Sequence, residues 1–275
     1  LKTVREAVAR QDGGVGTVSP RRHAGHMCGR YASFREVQDL ADAFGVDPED
    51  VADDAAGLPP SWNVAPTDPV RIVVERPEKQ ADGTHGPPLR SLRLARWGLV
   101  PGWAKDPSVG SRMINARVET LADKPAFRKA LGARRCLVPA EGYYEWTDPP
   151  PGSPRGTRKT PHWIPPTDGR TLAFAGLYEF WRDPAKADDD PHRWLVTMTV
   201  VTGGAPADDP VIGPLHDRQP VLVEPADWAS WLDPAVAARE ALALLGGPPR
   251  DLTAVAVSPA VSSVANDGPE LIRPA

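Results

Sequence analysis

Cysteine and long apolar stretches are scarce in this chain of 275 residues. Its two cysteines, Cys28 and Cys136, are too few for a disulfide framework, and no CxxC pair is present. The six histidines are scattered along the chain, which argues against a structural zinc site. Residues 1–26 hold no apolar run long enough for a signal peptide or a membrane span. These absences predict a cytoplasmic protein without a membrane segment, a metal or another cofactor.

Basic residues are outnumbered by acidic ones, and the net charge is −4. Residues 1–26 hold five basic and two acidic side chains, so the rest of the chain carries about −7. This balance argues against a protein that coats nucleic acid through its overall charge. A local basic groove is still compatible with it, because patches of charge rather than totals steer phosphates.

The pattern of apolar residues predicts many short strands and few long helices. Ser33 and Glu36 have the spacing of a capping box, which predicts a helix that ends at Gly45. A short helix is predicted over residues 125–131, stopped by Gly132, and two more over 225–232 and 234–245. Strands are predicted over residues 28–33, 70–75, 89–97, 135–139, 142–146, 162–164, 172–180, 194–201 and 252–257. We therefore predict one α+β domain with a mainly antiparallel, barrel-like sheet and peripheral helices.

Cys28 directly follows Met27 in the sequence MCGRY. If translation begins at Met27 and the methionine is removed, Cys28 carries a free α-amine beside its thiol. The amine titrates at about 7.7–8.0 and the thiol near 8.5, so both are usable nucleophiles at neutral pH. Such a pair condenses with an aldehyde, first to an imine and then to a five-membered thiazolidine ring. The ordinary alternative for a lone cysteine is a buried, unreactive residue, which is what we expect of Cys136.

Condensation of this kind needs a side chain that moves protons, and Glu145 and His216 are the candidates. Glu145 lies in a predicted strand between Tyr144 and Trp146, where an apolar wall would raise its pKa. A solvated strand glutamate is the alternative. His216 lies in a segment bracketed by proline and glycine and can donate a proton near neutrality. Its alternative is an ordinary surface-loop histidine.

Other side chains fit a single-stranded nucleic acid. Asn115 and Arg117 share one face if their segment is extended, so Asn115 can orient a sugar while Arg117 grips a phosphate. Arg30 and Arg218 are further phosphate candidates, with surface ion pairs as the more common role. Trp103 follows a Pro-Gly turn and can stack on a base, with core packing as its alternative. Core packing is the expectation for the remaining candidates Trp163, Trp194, Trp228 and Trp231.

Eight motifs occur in the order found in the SRAP (SOS response-associated peptidase) family, which the chain resembles. They are MCGRY (27–31), WNVAP (62–66), WGLVPGW (97–103), INARVET (114–120), RCLVPA (135–140), EGYYEW (141–146), HDRQP (216–220) and VSPAV (257–261). Members of this family crosslink to abasic sites in DNA. The resemblance implies the same chemistry for Cys28, with no metal or cofactor.

The resemblance also implies roles for residues that match the family's motifs. The catalytic positions are then Cys28, Asn115, Glu145 and His216. The positions predicted to bind DNA are Arg30, Asn63, Pro66, Trp103, Arg117 and Arg218, of which Asn63 and Pro66 match a DNA-contacting loop of the family.

Residues 1–27 depart from the family, whose members begin at the cysteine. In the chain as written the nitrogen of Cys28 is an amide, which cannot form an imine. We expect residues 1–27 to be absent from the mature protein and residues 28–275 to form the SRAP domain. Translation that starts at Met27, or removal of a pro-segment or added segment, would each give that result.

The sequence therefore predicts a monomer that senses abasic sites in single-stranded DNA and traps them covalently, in the cytoplasm and at the nucleoid when bound to DNA. Two alternatives stay open. A cysteine autopeptidase would shorten its own chain between Met27 and Cys28 without DNA. A non-covalent single-stranded DNA-binding module would bind intact strands in a salt-sensitive way and leave no adduct.

Overall fold

Twelve strands and five α-helices occur among the residues described in this computed structural model, which are 29–79, 82–205, 209–246 and 251–275. The strands are β1 (Tyr31–Ser33), β2 (Ser61–Val64), β3 (Pro69–Lys79), β4 (His85–Trp97), β5 (Asn115–Arg117), β6 (Arg135–Ala140), β7 (Gly142–Thr147), β8 (Thr160–Ile164), β9 (Leu172–Arg182), β10 (Trp194–Gly204), β11 (Arg218–Pro220) and β12 (Val255–Ala256). The helices are α1 (Val37–Phe44), α2 (Asp53–Ala56), α3 (Pro125–Ala133), α4 (Trp228–Leu232) and α5 (Ala238–Ala243).

Five of these strands close into a barrel, in the order β4–β3–β6–β9–β10 and back to β4. Strands β3 and β4 form a long antiparallel hairpin in which Val73 lies opposite Leu92. Closure occurs where β10 runs antiparallel to β9 and parallel to β4, with Thr197 opposite Arg96. Because a closed sheet pairs both of its outer strands, the barrel has no free edge along this seam.

Side chains of the barrel strands alternate between its interior and its exterior, as a period of two requires. The interior is filled by residues that include Ile72, Val74, Cys136, Val138, Phe174, Met198 and Val200. The exterior set, which packs beneath the helices, includes Val73, Leu92, Leu137, Leu177 and Val201. Cys136 is fully buried, as predicted, and its burial raises the pKa of the thiol.

A second sheet, in the order β12–β8–β7–β1–β2, covers one end of the barrel. Tyr31 of β1 lies opposite Tyr143 of β7, and both rings pack against Phe174 with centroid distances of 5.9 and 6.1 Å. Tyr31 also meets Trp97 of β4 edge-on at 5.2 Å. Such aromatic pairs add about 0.5–1.5 kcal/mol each beyond the area that they bury. We call the barrel end closed by these four rings the covered end.

The helices lie on the outside of the barrel. Helix α1 buries Leu40, Ala41 and Phe44 against it, and Phe44 stacks on Trp228 with ring centroids 4.5 Å apart. Burial of each leucine or phenylalanine side chain contributes about 1.5–3 kcal/mol. The helix ends at Gly45, as predicted, because this glycine adopts the left-handed conformation with φ of 64°.

The predicted fold class, α+β with a mainly antiparallel barrel and peripheral helices, is confirmed. Two local predictions are wrong. Ser33 pairs within β1 instead of capping α1, whose N-cap is Glu36 without a side-chain cap bond. Gly132 does not stop α3, because the burial of Phe127 and Leu131 outweighs the cost of about 1 kcal/mol for a helical glycine. Within the described ranges, none of the helices has the length and apolar character needed to cross a membrane.

Candidate active site and DNA-contacting residues

Glu145 is buried in the sheet that covers the barrel. It lies on β7, is 2% exposed, and faces His162 in the adjacent strand β8. It shares a face of β7 with Tyr143, which packs into the barrel interior, whereas Tyr144 packs in a separate cluster on the other face. Glu145 is therefore buried, and a solvated strand glutamate, which the sequence had left as the alternative, is excluded. Its catalytic role stays a prediction.

The chain segment just after Cys28 runs alongside Glu145. The backbone N–H of Tyr144 donates to Arg30 O at 3.0 Å, next to the Tyr31–Tyr143 pair of β1 and β7. Arg30 therefore lies beside Tyr144, and continuing the register places Gly29 beside Glu145. Cys28 itself lies outside the described residues, so its predicted role as nucleophile stays a prediction.

Asn115 and Arg117 lie on β5, which is extended as their spacing required. Strand β5 runs parallel to β10, with Asn115 opposite Val200 and Arg117 opposite Thr202. Both side chains fall on one face of the strand; Asn115 is half-buried and Arg117 exposed. Arg117 has no hydrogen bond or salt bridge with any other described residue. Its guanidinium is thus available to a phosphate, whereas Asn115 is placed deeper in the same face.

His216 lies at the end of a tight loop. Asp209 Oδ1 accepts two backbone N–H groups of that loop, each at 2.8 Å, and the backbone N–H of His216 bonds to Ile212 O at 3.0 Å. The imidazole is 9% exposed, and its Nδ1 accepts the Arg218 N–H at 3.0 Å. The neutral ring therefore carries its proton on Nε2. Asp217 Oδ1 lies 3.1 Å from Nδ1 and would stabilise the imidazolium once it forms.

Arg218 is already engaged by a carboxylate. Its two terminal nitrogens bind both oxygens of Glu119, and Nη2 also donates to Thr202 O at 2.8 Å. The hydrogen bonds from Arg218 hold the pKa of Glu119 below its usual value. Glu119 is half-exposed, with 51% of its side chain accessible, so a phosphate can compete with it for the guanidinium. The predicted phosphate contact of Arg218 would require that exchange.

Arg30 and Asn63 hold a loop near the C-terminus. Asn63 is 4% exposed, and its Nδ2 contacts the backbone oxygens of Val261, Ser263 and Asn266 at 3.2, 2.9 and 2.7 Å. Arg30 Nη1 donates to Asn63 Oδ1 at 2.8 Å and to Val261 O at 2.9 Å. Burial lowers the pKa of Arg30 from its ordinary value. Both side chains therefore have a structural use, and their predicted contacts with DNA stay predictions.

The remaining predicted DNA contacts lie on turns. Pro66 begins a turn in which Asp68 Oδ2 accepts the Ala65 N–H at 2.9 Å. Trp103 lies in the turn closed by the Ala104 N–H to Pro101 O bond, and it is 66% exposed, so core packing is excluded for it. The core packing expected for Trp194 is wrong, because Trp194 is 48% exposed.

The covered end brings most of these residues together. Trp97 of the aromatic cluster donates from Nε1 to Ile114 O at 2.9 Å, which fixes the residue before Asn115. Glu145 follows Tyr143 of the same cluster on one face of β7. Arg117 and Arg218 lie close to each other at the end of β10, because Arg117 lies opposite Thr202 and Arg218 donates a hydrogen bond to Thr202 O.

Trp103 lies apart from that group. Trp181 Nε1 bonds to Ala104 O at 2.7 Å, and Trp181 lies opposite Leu195 near the beginning of β10. Thr202 lies seven positions after Leu195 in β10, which is about 23 Å of extended chain. The turn of Trp103 is therefore held near the other end of the barrel.

Sequence analysis missed Glu141. It is 7% exposed, accepts the Phe34 N–H at 2.7 Å through Oε2, and lies 3.6 Å from Arg35 Nε. It thereby ties the segment after β1 to the bend between β6 and β7, close to Glu145. A charged residue in the short bend between two predicted strands, residues 135–139 and 142–146, was the available signal. Among the described residues, no group of three or more histidine, cysteine or acidic side chains is arranged to hold a metal ion.

Comparisons with known proteins match most of the chain. The family model described as SOS response associated peptidase (SRAP) matches residues 27–264. The abasic site processing protein YoqW of Bacillus subtilis is 36% identical over 252 residues, which cover 90% of this chain and 99% of that protein. The abasic site processing protein YedK of Escherichia coli is 29% identical over 252 residues, and the match covers 90% of this chain and 100% of that protein.

Structural comparison gives the same fold. A solved structure of a protein from Bacteroides thetaiotaomicron matches with a TM-score of 0.71, and the match covers 90% of this chain and 100% of that one. The two sequences are 22% identical, so this likeness concerns the fold alone.

Proposed function

The chain belongs to the SRAP family, and on this premise we propose that it processes abasic sites in single-stranded DNA by trapping them covalently through Cys28, once residues 1–27 are absent. Relatives in this family are named abasic site processing proteins. An abasic deoxyribose is in equilibrium with an open-chain aldehyde. That aldehyde is the electrophile that matches a free α-amine beside a thiol.

The reaction joins Cys28 to the aldehyde carbon in two steps. The α-amine adds to the carbonyl, and loss of one water gives an imine. The thiol then adds to the imine carbon, its proton passes to the nitrogen, and the thiazolidine ring closes. Water is the single product that leaves, so the balance needs no oxidant, reductant or metal.

The observation that carries the proposal is the burial of Glu145 beside the strand that follows Cys28. Glu145 is 2% exposed. The hydrogen bond from the Tyr144 N–H to Arg30 O holds Gly29 and Arg30 alongside β7 next to Glu145. A carboxylate there can take a proton from the attacking amine and return it to the leaving hydroxyl. A proton transfer of this kind is typically worth about 10²–10⁴-fold in rate.

We assign the opening of the sugar to His216. Its Nδ1 accepts the Arg218 N–H when the ring is neutral, and a second proton on Nδ1 would exchange that bond for one to Asp217 Oδ1. The imidazolium is an available acid near pH 6.5 and can protonate the ring oxygen of the sugar. Asn115 would orient the intermediate from the neighbouring strand β5.

The exposed guanidinium of Arg117 supplies the first phosphate contact, and Arg218 supplies a second when phosphate displaces Glu119. Arg30, Asn63 and Pro66 would line the entry. An abasic site in a single strand has no partner base to unpair, which favours that substrate over continuous duplex.

A denaturing gel tests the chemistry. Protein that begins at Cys28 and the 275-residue chain are each incubated with abasic and intact oligonucleotides. We expect an adduct with the protein that begins at Cys28 and the abasic strand, and Cys28→Ala should remove it. Equal crosslinking by an intact 275-residue chain would refute the mechanism, because its Cys28 nitrogen is an amide. Shortening at Met27–Cys28 without DNA would support an autopeptidase instead, and binding without an adduct would support a non-covalent module.

Rate measurements test the division of roles. His216→Ala and Glu145→Gln should each slow crosslinking by about 10²–10⁴-fold while binding of an intact strand stays near normal. Glu179→Gln is the matched control, because Glu179 is also a buried strand glutamate but pairs with Arg134. Arg117→Ala should instead weaken binding of intact strands. Parent-like rates for both His216→Ala and Glu145→Gln across about pH 5 to pH 9 would make these residues structural.

A further inference from the structure

Two tryptophans are exposed among the described residues, and both belong to the barrel end away from the covered end. Trp103 is 66% exposed and Trp194 is 48% exposed. The turn that carries Trp103 is held there by the 2.7 Å bond from Trp181 Nε1 to Ala104 O. Trp181 lies opposite Leu195 in the β9–β10 pair, and Trp194 is the residue just before Leu195 in β10.

An arginine lies over aromatic rings at the same end. The Cζ atom of Arg76 is 5.4 Å from the ring centroid of Tyr178 and 5.0 Å from that of Phe180. Phe180 lies opposite Val196, and Trp194 occupies the same face of β10 two residues earlier. Arg76, Tyr178, Phe180 and Trp194 therefore form one continuous surface, which we call the open-end surface.

The open-end surface carries positive charge that the described residues do not pair. Arg76 makes no hydrogen bond or salt bridge with any of them, and the rings beneath hold its guanidinium while its N–H groups stay available. Arg76 and Arg93 both line a cavity of about 160 Å³. Arg93 Nε donates a hydrogen bond to Ser91 Oγ at 3.1 Å. One acid, Asp54, lines this cavity and leaves it with a net positive charge.

Two further arginines near the open-end surface are engaged by an acid. Arg182 and Arg193 share the single carboxylate of Asp188, so both guanidinium groups already have a partner. Arg193 also lies over the Trp194 ring, with Cζ 5.8 Å from its centroid. The available cations are thus Arg76 and Arg93, and the face of Trp194 that Arg193 does not cover can stack on a base.

We propose that the open-end surface binds intact single-stranded DNA that continues from the lesion past Trp103. Arg76 and Arg93 take successive phosphates, and Trp194 stacks on a base. Aromatic faces combined with arginine are the arrangement that binds single strands without regard to sequence. Because the net charge is −4, a polyanion is attracted to local positive clusters such as this one and not to the protein as a whole. This inference rests on the proposed function.

The geometry sets the length of strand that can reach both ends. Thr202 lies eight positions after Trp194 in β10, which is about 26 Å of extended chain. Stacked nucleotides advance about 3.4 Å each, so a strand of about 4 nucleotides covers about 14 Å and one of about 16 covers about 54 Å. Only the longer strand would contact the open-end surface while its lesion occupies the covered end.

In the test, protein that begins at Cys28 is incubated with abasic and with intact strands, each at lengths of about 4 and about 16 nucleotides. The parent should crosslink the longer strand faster at limiting protein concentration. Trp194→Ala should lower affinity for the longer intact strand by about 5- to 150-fold. The double variant Arg76→Gln/Arg93→Gln should reduce the slope of log affinity against log salt by about 1.4, which is about 0.7 for each phosphate lost. Arg239→Gln, an exposed arginine on α5, is the control and should leave both quantities unchanged.

Failure of this inference and failure of the proposed function give different results. If the parent forms no adduct at either length, the proposed chemistry is wrong. If the parent forms adducts but Trp194→Ala and Arg76→Gln/Arg93→Gln keep its length advantage and salt slope, the open-end surface does not bind DNA. A parent without a length advantage overturns the inference equally, and would point to a protein partner for this surface.

Discussion

Replacing Asn63 by alanine should destabilise the protein before it affects DNA. The amide contacts three backbone carbonyl oxygens of the loop 261–266 at 2.7–3.2 Å, in an environment where Asn63 is 4% exposed. Each hydrogen bond contributes about 0.5–1.5 kcal/mol net, and a buried acceptor left unsatisfied costs more. Asn63→Ala should therefore lower the free energy of unfolding by about 3 kcal/mol. For a domain of this size that corresponds to a fall of about 6–12 °C in Tm.

Thermal denaturation, with binding to an intact strand measured well below Tm, checks this magnitude. Asn266→Ala is the matched control, because its exposed side chain donates a single bond of 2.8 Å to Ala260 O. Its effect should stay below about 1 kcal/mol, as for most surface substitutions. A variant Asn63→Ala with unchanged Tm but much weaker strand binding would refute the reasoning and make Asn63 a direct DNA contact.

Three further outcomes follow from individual contacts. Glu119→Gln removes the carboxylate that occupies Arg218, so it should strengthen binding of intact strands and raise the salt slope by about 0.7 in a salt titration. Burial raises the pKa of Glu141, so the folded protein holds that proton more tightly than the unfolded chain does. Stability should fall as pH rises from about 4.3 toward the raised pKa, and urea unfolding at several pH values should show that Glu141→Gln removes this fall. Gly142→Ala would place Cβ 2.6 Å from the Trp163 ring and 2.7 Å from Ile164 O. It should cost about 1–3 kcal/mol in denaturant unfolding and slow crosslinking by disturbing β7.

Local patterns predicted much of the fold and part of the candidate site. Alternation placed Tyr144 and Trp146 on the face of β7 opposite to Glu145, and the spacing of Asn115 and Arg117 indicated a shared face on a strand. Both predictions depend on residues one or two positions apart. The period of a strand determines them directly.

Long-range contacts were beyond such patterns. Asn63 looked like a free polar residue because its partners lie about 200 positions along the chain. Trp194 looked like a core residue because its strand is apolar, yet β10 begins beyond the packed interior and leaves the ring exposed. The Arg218–Glu119 pair likewise joins residues 99 positions apart. Nothing in the neighbouring sequence specifies such partners.

The contact between Arg30 and Val261 has a consequence for how the protein is made. It joins residues 231 positions apart, so the loop that holds Arg30 leaves the ribosome last, after every barrel strand. Contacts of such high sequence separation form late, because the intervening chain must be ordered first. An unfinished chain would contain the barrel without the support beside Gly29. On this reasoning the support beside Gly29 forms only when synthesis is nearly complete, so the segment of β1 that begins the described chain and the loop near the C-terminus become ordered together.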